Sequence, residues 1–422
     1  MSTSMPLYKQ TEVGAIPEDW CVAQIGDLEP FVTSGSRGWA AYYSEHGSPF
    51  IRITNLSREC VYPDLKDLRY VNVATNDSEA ARTQLRDGDI LISITADIGI
   101  VGLVTGKLPK PAYINQHIAL VRFDAAETDS RFVSYFLASE TSQKLFRALT
   151  DSGAKAGMNL TTVQQTRIAF PPTKAEQEAI AEALSDADAL IESLEQLVTK
   201  KRHLKRGAMQ ELLTGRTRLS GFRGDWKIAR LDELGTWKGG MTPSMQNSSY
   251  WHIGTIPWIS SGDVKSVLLT TTGFSITAAA IKQGTTTLLP ANSIVVVTRS
   301  GILRKYLPIA MNMIPMAINQ DIKALIPNDQ VISSYLLHTL IGHGDEILAR
   351  CMKAGTTVES IEFPWMKAFT IPLPPLSEQT AIAAVLSDMD AEIVDLESQL
   401  AKARSIKQGM MNKLLTGKIR LI

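Results

Sequence analysis

The chain is poor in the features that announce catalysis, secretion or a membrane. Its 422 residues hold three cysteines, Cys21, Cys60 and Cys351, far apart in sequence. With no C-x-x-C and no histidine at ligand spacing, they argue against disulfides and structural zinc and suit a reducing cytosol. No run approaches the ~18 consecutive apolar residues of a membrane span, and the opening MSTSMPLYKQTEVGAIPEDW lacks the apolar centre of a signal peptide. A cytoplasmic protein with no membrane partner is expected. Excess charge is also missing: Lys+Arg and Asp+Glu stand at 43 each. Net charge therefore gives no argument for nucleic acid, and a DNA-binding role would need local polarisation or charge supplied by a partner.

Catalytic signatures are missing too. There is no G-x-x-x-x-G-K-[ST], no G-x-S-x-G, no H-E-x-x-H and no Gly-rich loop of the dinucleotide-binding kind. Pro171-Pro172 and Pro374-Pro375 follow Phe170 and Leu373, not the Asn, Asp or Ser of an amino-methyltransferase motif. The histidines form no triad, and Asp64-Leu65-Lys66 alone does not make a nuclease centre. The chain reads as non-catalytic, with no cofactor or metal site of its own. What it has is 44% hydrophobic and 20% charged residues, enough for ordinary cores in two or three domains.

What is also present is a repeat. Glu176–Leu219 aligns with Glu378–Leu421 at a constant offset of 202, and 24 of the 44 positions are identical. The shared text includes E-Q-x-A-I-A, L-S-D-x-D-A and L-L-T-G-[RK]-x-R-L, which composition alone does not produce. Fainter echoes lie upstream: Asp19-Trp20 with Asp225-Trp226, Ile114-Asn115-Gln116 with Ile318-Asn319-Gln320, and apolar runs at Asp89–Thr95 and Ser293–Thr298. The globular halves drifted while the repeated helices did not, as expected if each half acquired its own target.

Each strongly repeated segment reads as a long helix. The double prolines end the preceding domain, Thr173 and Ser377 offer N-caps, and Gly215 and Gly417 mark the ends. Ile180, Leu184, Ile191, Leu194 and Val198, and likewise Ile382, Leu386, Ile393, Leu396 and Leu400, recur at coiled-coil spacing and predict a helix-pairing seam. Acid gathers in the first half of each helix and base in the second, which favours antiparallel pairing. The expected fold class is α/β (α+β), with two mixed α/β domains and two long antiparallel coiled-coil helices. The expected boundaries are 1–172 for the first domain, 173–219 for the central helix, 220–375 for the second domain and 376–422 for the C-terminal helix. Pro49–Ile53 and Ile256–Ile259 predict strands; Arg131–Thr150 and Gln330–Lys353 predict helices.

The loops of both domains mix Gly, Ser, Thr and Asn with Arg or Lys, which suits phosphate and base-edge contacts. Candidate DNA contacts in the first domain are Ser34, Ser36, Arg37, Trp39, Thr95, Lys107, Lys155 and Asn159. In the second they are Lys238, Thr242, Ser244, Ser261, Arg299, Ser300, Arg304, Lys305, Lys353, Thr356 and Thr357.

The order domain–helix–domain–helix, with A-E-Q-x-A-I-A-x-x-L-S-D-x-D opening a helix and L-L-T-G-[RK]-x-R-L closing it, resembles the specificity subunit of Type I restriction–modification systems. The resemblance implies two target recognition domains, each reading half of a bipartite sequence in double-stranded DNA, with the paired helices as spacer. It implies two methyltransferase (modification) subunits and two restriction (translocase/nuclease) subunits as partners. S-adenosylmethionine, ATP and Mg would then be carried by those partners. The alternative reading is a coiled-coil scaffold that pairs proteins without reading DNA.

Overall fold

The computed structural model describes residues 7–35, 37–73, 77–151, 157–355 and 357–421. Ser36, Lys155 and Thr356 lie outside them. The chain forms two compact units, Met1–Glu195 with Ser398–Ile422, and Gln196–Glu397. Each unit thus contains one globular domain and part of both long helices, so chain order and compactness divide the molecule differently.

The first unit carries two four-stranded sheets. One runs Phe31–Ser34, Ile118–Arg122, Ile90–Ser93, Val101–Leu103, all antiparallel. The other runs Tyr113–Ile114, Ser48–Ile51, Arg69–Val71, Tyr43–Ser44, with its first pair parallel. The second unit repeats this plan with Gly235–Gly239, Ile322–Pro327, Ile294–Val297, Ile309–Asn312 and an added Leu268–Leu269. Its smaller sheet is Phe274–Ile276, Ile256–Ile259, Met316–Ile318, Leu288–Leu289. In each unit a two-stranded ribbon joins the domain's opening to its end: Cys21–Gln24 with Arg167–Phe170, and Lys227–Arg230 with Thr370–Leu373. The faint upstream echoes are therefore one strand plan used twice. The strands predicted at Pro49–Ile53 and Ile256–Ile259 form at Ser48–Ile51 and Ile256–Ile259, with Ile53 opening a short 3-10 turn instead, and the two apolar runs carry the strands Ile90–Ser93 and Ile294–Val297.

The helix expected over Arg131–Thr150 is two, Ser130–Ala138 and Glu140–Asp151. Ser139 is extended between them, and its hydroxyl faces the amide of Ser142. The helix expected over Gln330–Lys353 likewise divides into Ser333–Gly342 and Gly344–Cys351, because His343 leaves the helical path.

The long helices run Lys174–Leu212 and Leu376–Leu414, each 39 residues. Thr173 caps the first through the Glu176 amide. Ser377 does not cap the second. It sits inside the first turn, and the Pro375 carbonyl takes the amides of Glu378 and Gln379.

Pairing is antiparallel in both units. In the first, Glu176, Asp188 and Glu195 meet Arg420, Lys407 and Arg404. In the second, Glu378, Asp390 and Glu397 meet Arg218, Lys205 and Arg202. These are the same three pairs carried across the 202 offset. The seam expected from heptad spacing is only part of what the apolar positions do. Ile180 and Leu184 join the core of the first domain, together with Met411, Leu414 and Leu415. Ile382 and Leu386 join the core of the second, with Leu212 and Leu213. Val198, Ile393 and Leu396 are buried, and Ile191, Leu194 and Leu400 half-buried.

Candidate nucleic-acid interface

The second domain gathers several candidate residues around one turn. Gly240 approaches the Ile318 carbonyl so closely that a Cβ would stand 1.9 Å from that oxygen. Only glycine fits, and the following residues are thereby set beside Ile318-Asn319-Gln320-Asp321. The Asn319 side chain accepts from the Asp321 amide at 3.0 Å, holding the turn. Thr242 donates its hydroxyl to Gln320 at 2.6 Å. The Asp321 carbonyl accepts from the amides of Thr298 and Arg299, at 2.8 and 3.2 Å. Arg299 then bridges to Ser360, whose carbonyl accepts from the Lys353 amide at 2.8 Å. Thr242, Arg299, Ser300 and Lys353, far apart in sequence, so become one ledge. Ser300 also caps the short helix Gly301–Arg304, Arg304 pairs with Glu359, and Lys305 is exposed. Lys238 and Thr357 are exposed, and the Ser244 carbonyl accepts from the Trp251 indole at 3.1 Å. Ser261 is half-buried with its hydroxyl enclosed and unpartnered.

The first domain builds the same turn with other chemistry. Gly35 approaches the Asn115 backbone, where a Cβ would stand 2.2 Å away. His117 occupies the place of Asp321: its carbonyl accepts from the Ile94 amide at 2.9 Å, and its ring pairs with the Thr95 hydroxyl. The Ser34 carbonyl accepts from Arg82 at 2.8 Å, and Arg37 is exposed.

Three candidates have duties elsewhere. Trp39 is 4% exposed and stacks on Phe50 at 5.2 Å, beside Tyr113. Its indole fills a core under the loop and offers no face to a groove. Asn159 caps the helix Leu160–Gln165 through the Thr162 amide. Lys107 pairs with Glu192 of the first long helix at 3.0 Å.

Local charge is the signal that whole-chain neutrality hid. Leu234–Gln320 contains one carboxylate, Asp263, against six cations: Lys238, Lys265, Lys282, Arg299, Arg304 and Lys305, all exposed. Asp263 is itself occupied: burial pushes its carboxyl up, but the Ser260 hydroxyl and the Gly273 and Ser260 amides, the amides at 2.8 Å, all donate to it and together hold it below the usual range. A surface of this kind attracts phosphate.

The family model described as "Type I restriction modification DNA specificity domain" matches the chain twice, over residues 17–200 and 223–403. The chain belongs to that family. Its two matches coincide with the doubled strand plan and helices. A specificity subunit of a type I restriction enzyme from Escherichia coli is 37% identical over 184 residues, 44% of this chain and 45% of that protein. A putative type I restriction enzyme specificity subunit from Methanocaldococcus jannaschii is 25% identical over 98% of this chain and 97% of its own. Among solved structures, the type I restriction–modification S subunit of M. genitalium superposes with a TM-score of 0.60 at 17% identity, over 94% of this chain and 96% of that one. A chain from a study of type I R-M assembly and conformational transition gives 0.54 at 17%, over 96% and 99%. These likenesses carry the fold. Family membership gives this chain two DNA specificity domains of the type I restriction–modification kind. Among the described residues, no helix is long and apolar enough to cross a membrane.

Proposed function

We propose that each globular domain reads one half of a bipartite DNA target. We propose also that the chain performs no chemistry, directing two methyltransferase and two restriction subunits that bring S-adenosylmethionine, ATP and Mg. The observation that carries this reading is a single strand plan built twice around the same glycine-tightened turn, with different side chains at its rim. Duplicated scaffolds with different rims suit two different DNA words read by base-edge contacts. The cations of the second domain supply sequence-independent attraction, and the partners supply the remainder. Selection of random duplexes by the assembled complex is expected to return two short words separated by a fixed gap. One contiguous word, or none, defeats the proposal and favours a scaffold that pairs proteins without reading DNA. Methylation or cleavage by the purified chain without partners would overturn its non-catalytic role.

A further inference from the structure

The second domain leaves Met241, Met245, Ile253 and Phe274 exposed at 54%, 65%, 81% and 56%. Large apolar side chains gathered at a surface mark a contact site, and these are held firmly. The Trp251 indole N–H donates to the Ser244 carbonyl at 3.1 Å and that of Trp258 to the Met241 carbonyl at 3.3 Å. Trp251 also stands edge-on to Trp258 at 5.3 Å and to Phe274 at 6.3 Å. Two indoles thus fasten the 241–245 loop and the strand edge into one rim. Ile253 is in the left-handed region at φ 55°, where a β-branched side chain is a genuine outlier. The next residue fixes it there: a Cβ on Gly254 would meet the Ser275 carbonyl at 2.5 Å, and the Thr255 amide donates to Ile276 at 3.1 Å. Strain that aims an isoleucine into solvent gives the fold no burial in return and points to function.

We propose that this rim contacts the 5-methyl groups of thymines in the major groove of the second half-site. The inference rests on the bipartite DNA reading above and names its chemistry. The rim lies in the span whose single carboxylate is internally engaged and whose six cations are exposed. That setting complements a phosphate backbone, and the thymine methyl is the apolar mark in the major groove. In the first domain the strand corresponding to Phe274–Ile276, Arg69–Val71, is instead covered by Tyr43–Ser44, and the exposed Tyr42 and Tyr43 carry hydroxyls, so the two words are expected to differ in this respect.

The test uses the complete complex with its partner subunits. Once random-duplex selection has given the wild-type words, each thymine is replaced by deoxyuridine, which lacks only the methyl. Uracil at one or two positions of one half-site should weaken wild-type binding about fourfold per methyl, the worth of one buried methylene. Ile253→Gly, which also relieves the strained φ, and Met245→Ala should be insensitive to the same exchange and keep the other half-site unchanged. A second word without thymine overturns the proposal, as does uracil that weakens variant and wild type equally or neither. Variants that lose partner subunits while binding DNA normally would make the rim a protein interface. A wild-type complex returning no two-part target defeats the function proposed above, a different result from any of these.

Discussion

Between Pro30 and Gln116 the first domain carries nine carboxylates and nine cations; the matching stretch of the second, Leu234–Gln320, carries one against six, of which Arg304 pairs with Glu359 beyond the stretch. Many first-domain cations are used internally: Arg52 with Asp67, Arg58 with Asp97, Lys110 with Asp87, Lys107 with Glu192. One scaffold thus serves two electrostatic designs, a self-neutralised surface and a phosphate-seeking one. The strand plan and turn are therefore separable from what the surface reads, and zero net charge is the sum of two unlike domains and their helices.

The separation breaks most visibly if the shared framework is damaged. The Glu378 side chain is 1% exposed and takes two hydrogen bonds from Arg218, 2.5 and 2.6 Å, and one from the Trp226 indole at 3.1 Å. Glu176 does the same work for Arg420, which also reaches Asp19. Removing Glu378 leaves Arg218 and the Trp226 indole without their shared acceptor. Glu378→Ala should cause a clear loss of stability in denaturant titration. The complex that still forms should select unchanged DNA words. A changed word with unchanged stability would place this glutamate in recognition.

A smaller effect sharpens the comparison. Asp188 and Lys407 are joined in the first unit by the Tyr135 hydroxyl, 2.8 Å from Asp188. The second unit has His338 in that position, 3.1 Å from Ser387 and 3.8 Å from Asp390. Burial, reinforced by Lys205 against the pull of Asp390, holds His338 down at about 4. The folded value lies below the unfolded one of about 6.5, so the unfolded chain takes the proton first as pH falls. This stabilisation is complete above about pH 6.5 and is lost on descent towards 4, on the order of 2–3 kcal/mol. Stability measured by denaturant at several pH values should show that loss, and His338→Tyr, copying the first unit, should flatten it. An identical pH profile in the variant would dismiss His338 as the cause; His338→Gln serves if the larger ring does not fit.

The motif text announced a doubled helix but not what its letters do. E-Q repeats because Glu176 and Glu378 clamp an arginine while Gln177 and Gln379 accept from the Asp129 and Ile332 amides. L-S-D-x-D repeats because Ser185 and Asp188, or Ser387 and Asp390, meet a ring and a lysine. Antiparallel pairing was legible, since acid and base segregate in order along each helix. The rim was harder. Trp39 reads as a contact and is core, Asn159 reads as a contact and is a cap, because side chains in polar loops often satisfy their own backbone. Ile253 has no signature at all: propensity places isoleucine in strands, and only the packing of Gly254 against Ser275 forces it to positive φ. The carboxylate-poor span is countable in the sequence, but whole-chain balance masks it, because the surplus of cations there is offset by carboxylates elsewhere.

The smallest expected effect tests the charge contrast itself. Each cation that neutralises a phosphate adds nearly one to the slope of log affinity against log salt. Arg299 sits on the ledge with Thr242, and Lys305 follows the helix that Ser300 caps. Replacing both by Ala in the assembled complex should lower the slope by about two and weaken all sequences nearly alike. Replacing Arg52 and Lys110 of the first domain should leave it nearly unchanged, because Asp67 and Asp87 already engage them. Equal changes from both pairs would mean that the domains share the phosphate load, and the contrast would then concern stability alone. A change confined to Arg299 and Lys305 would make the second domain the electrostatic anchor and leave the first to discriminate with less attraction behind it. Errors in the first word should then carry the larger relative penalty as salt rises.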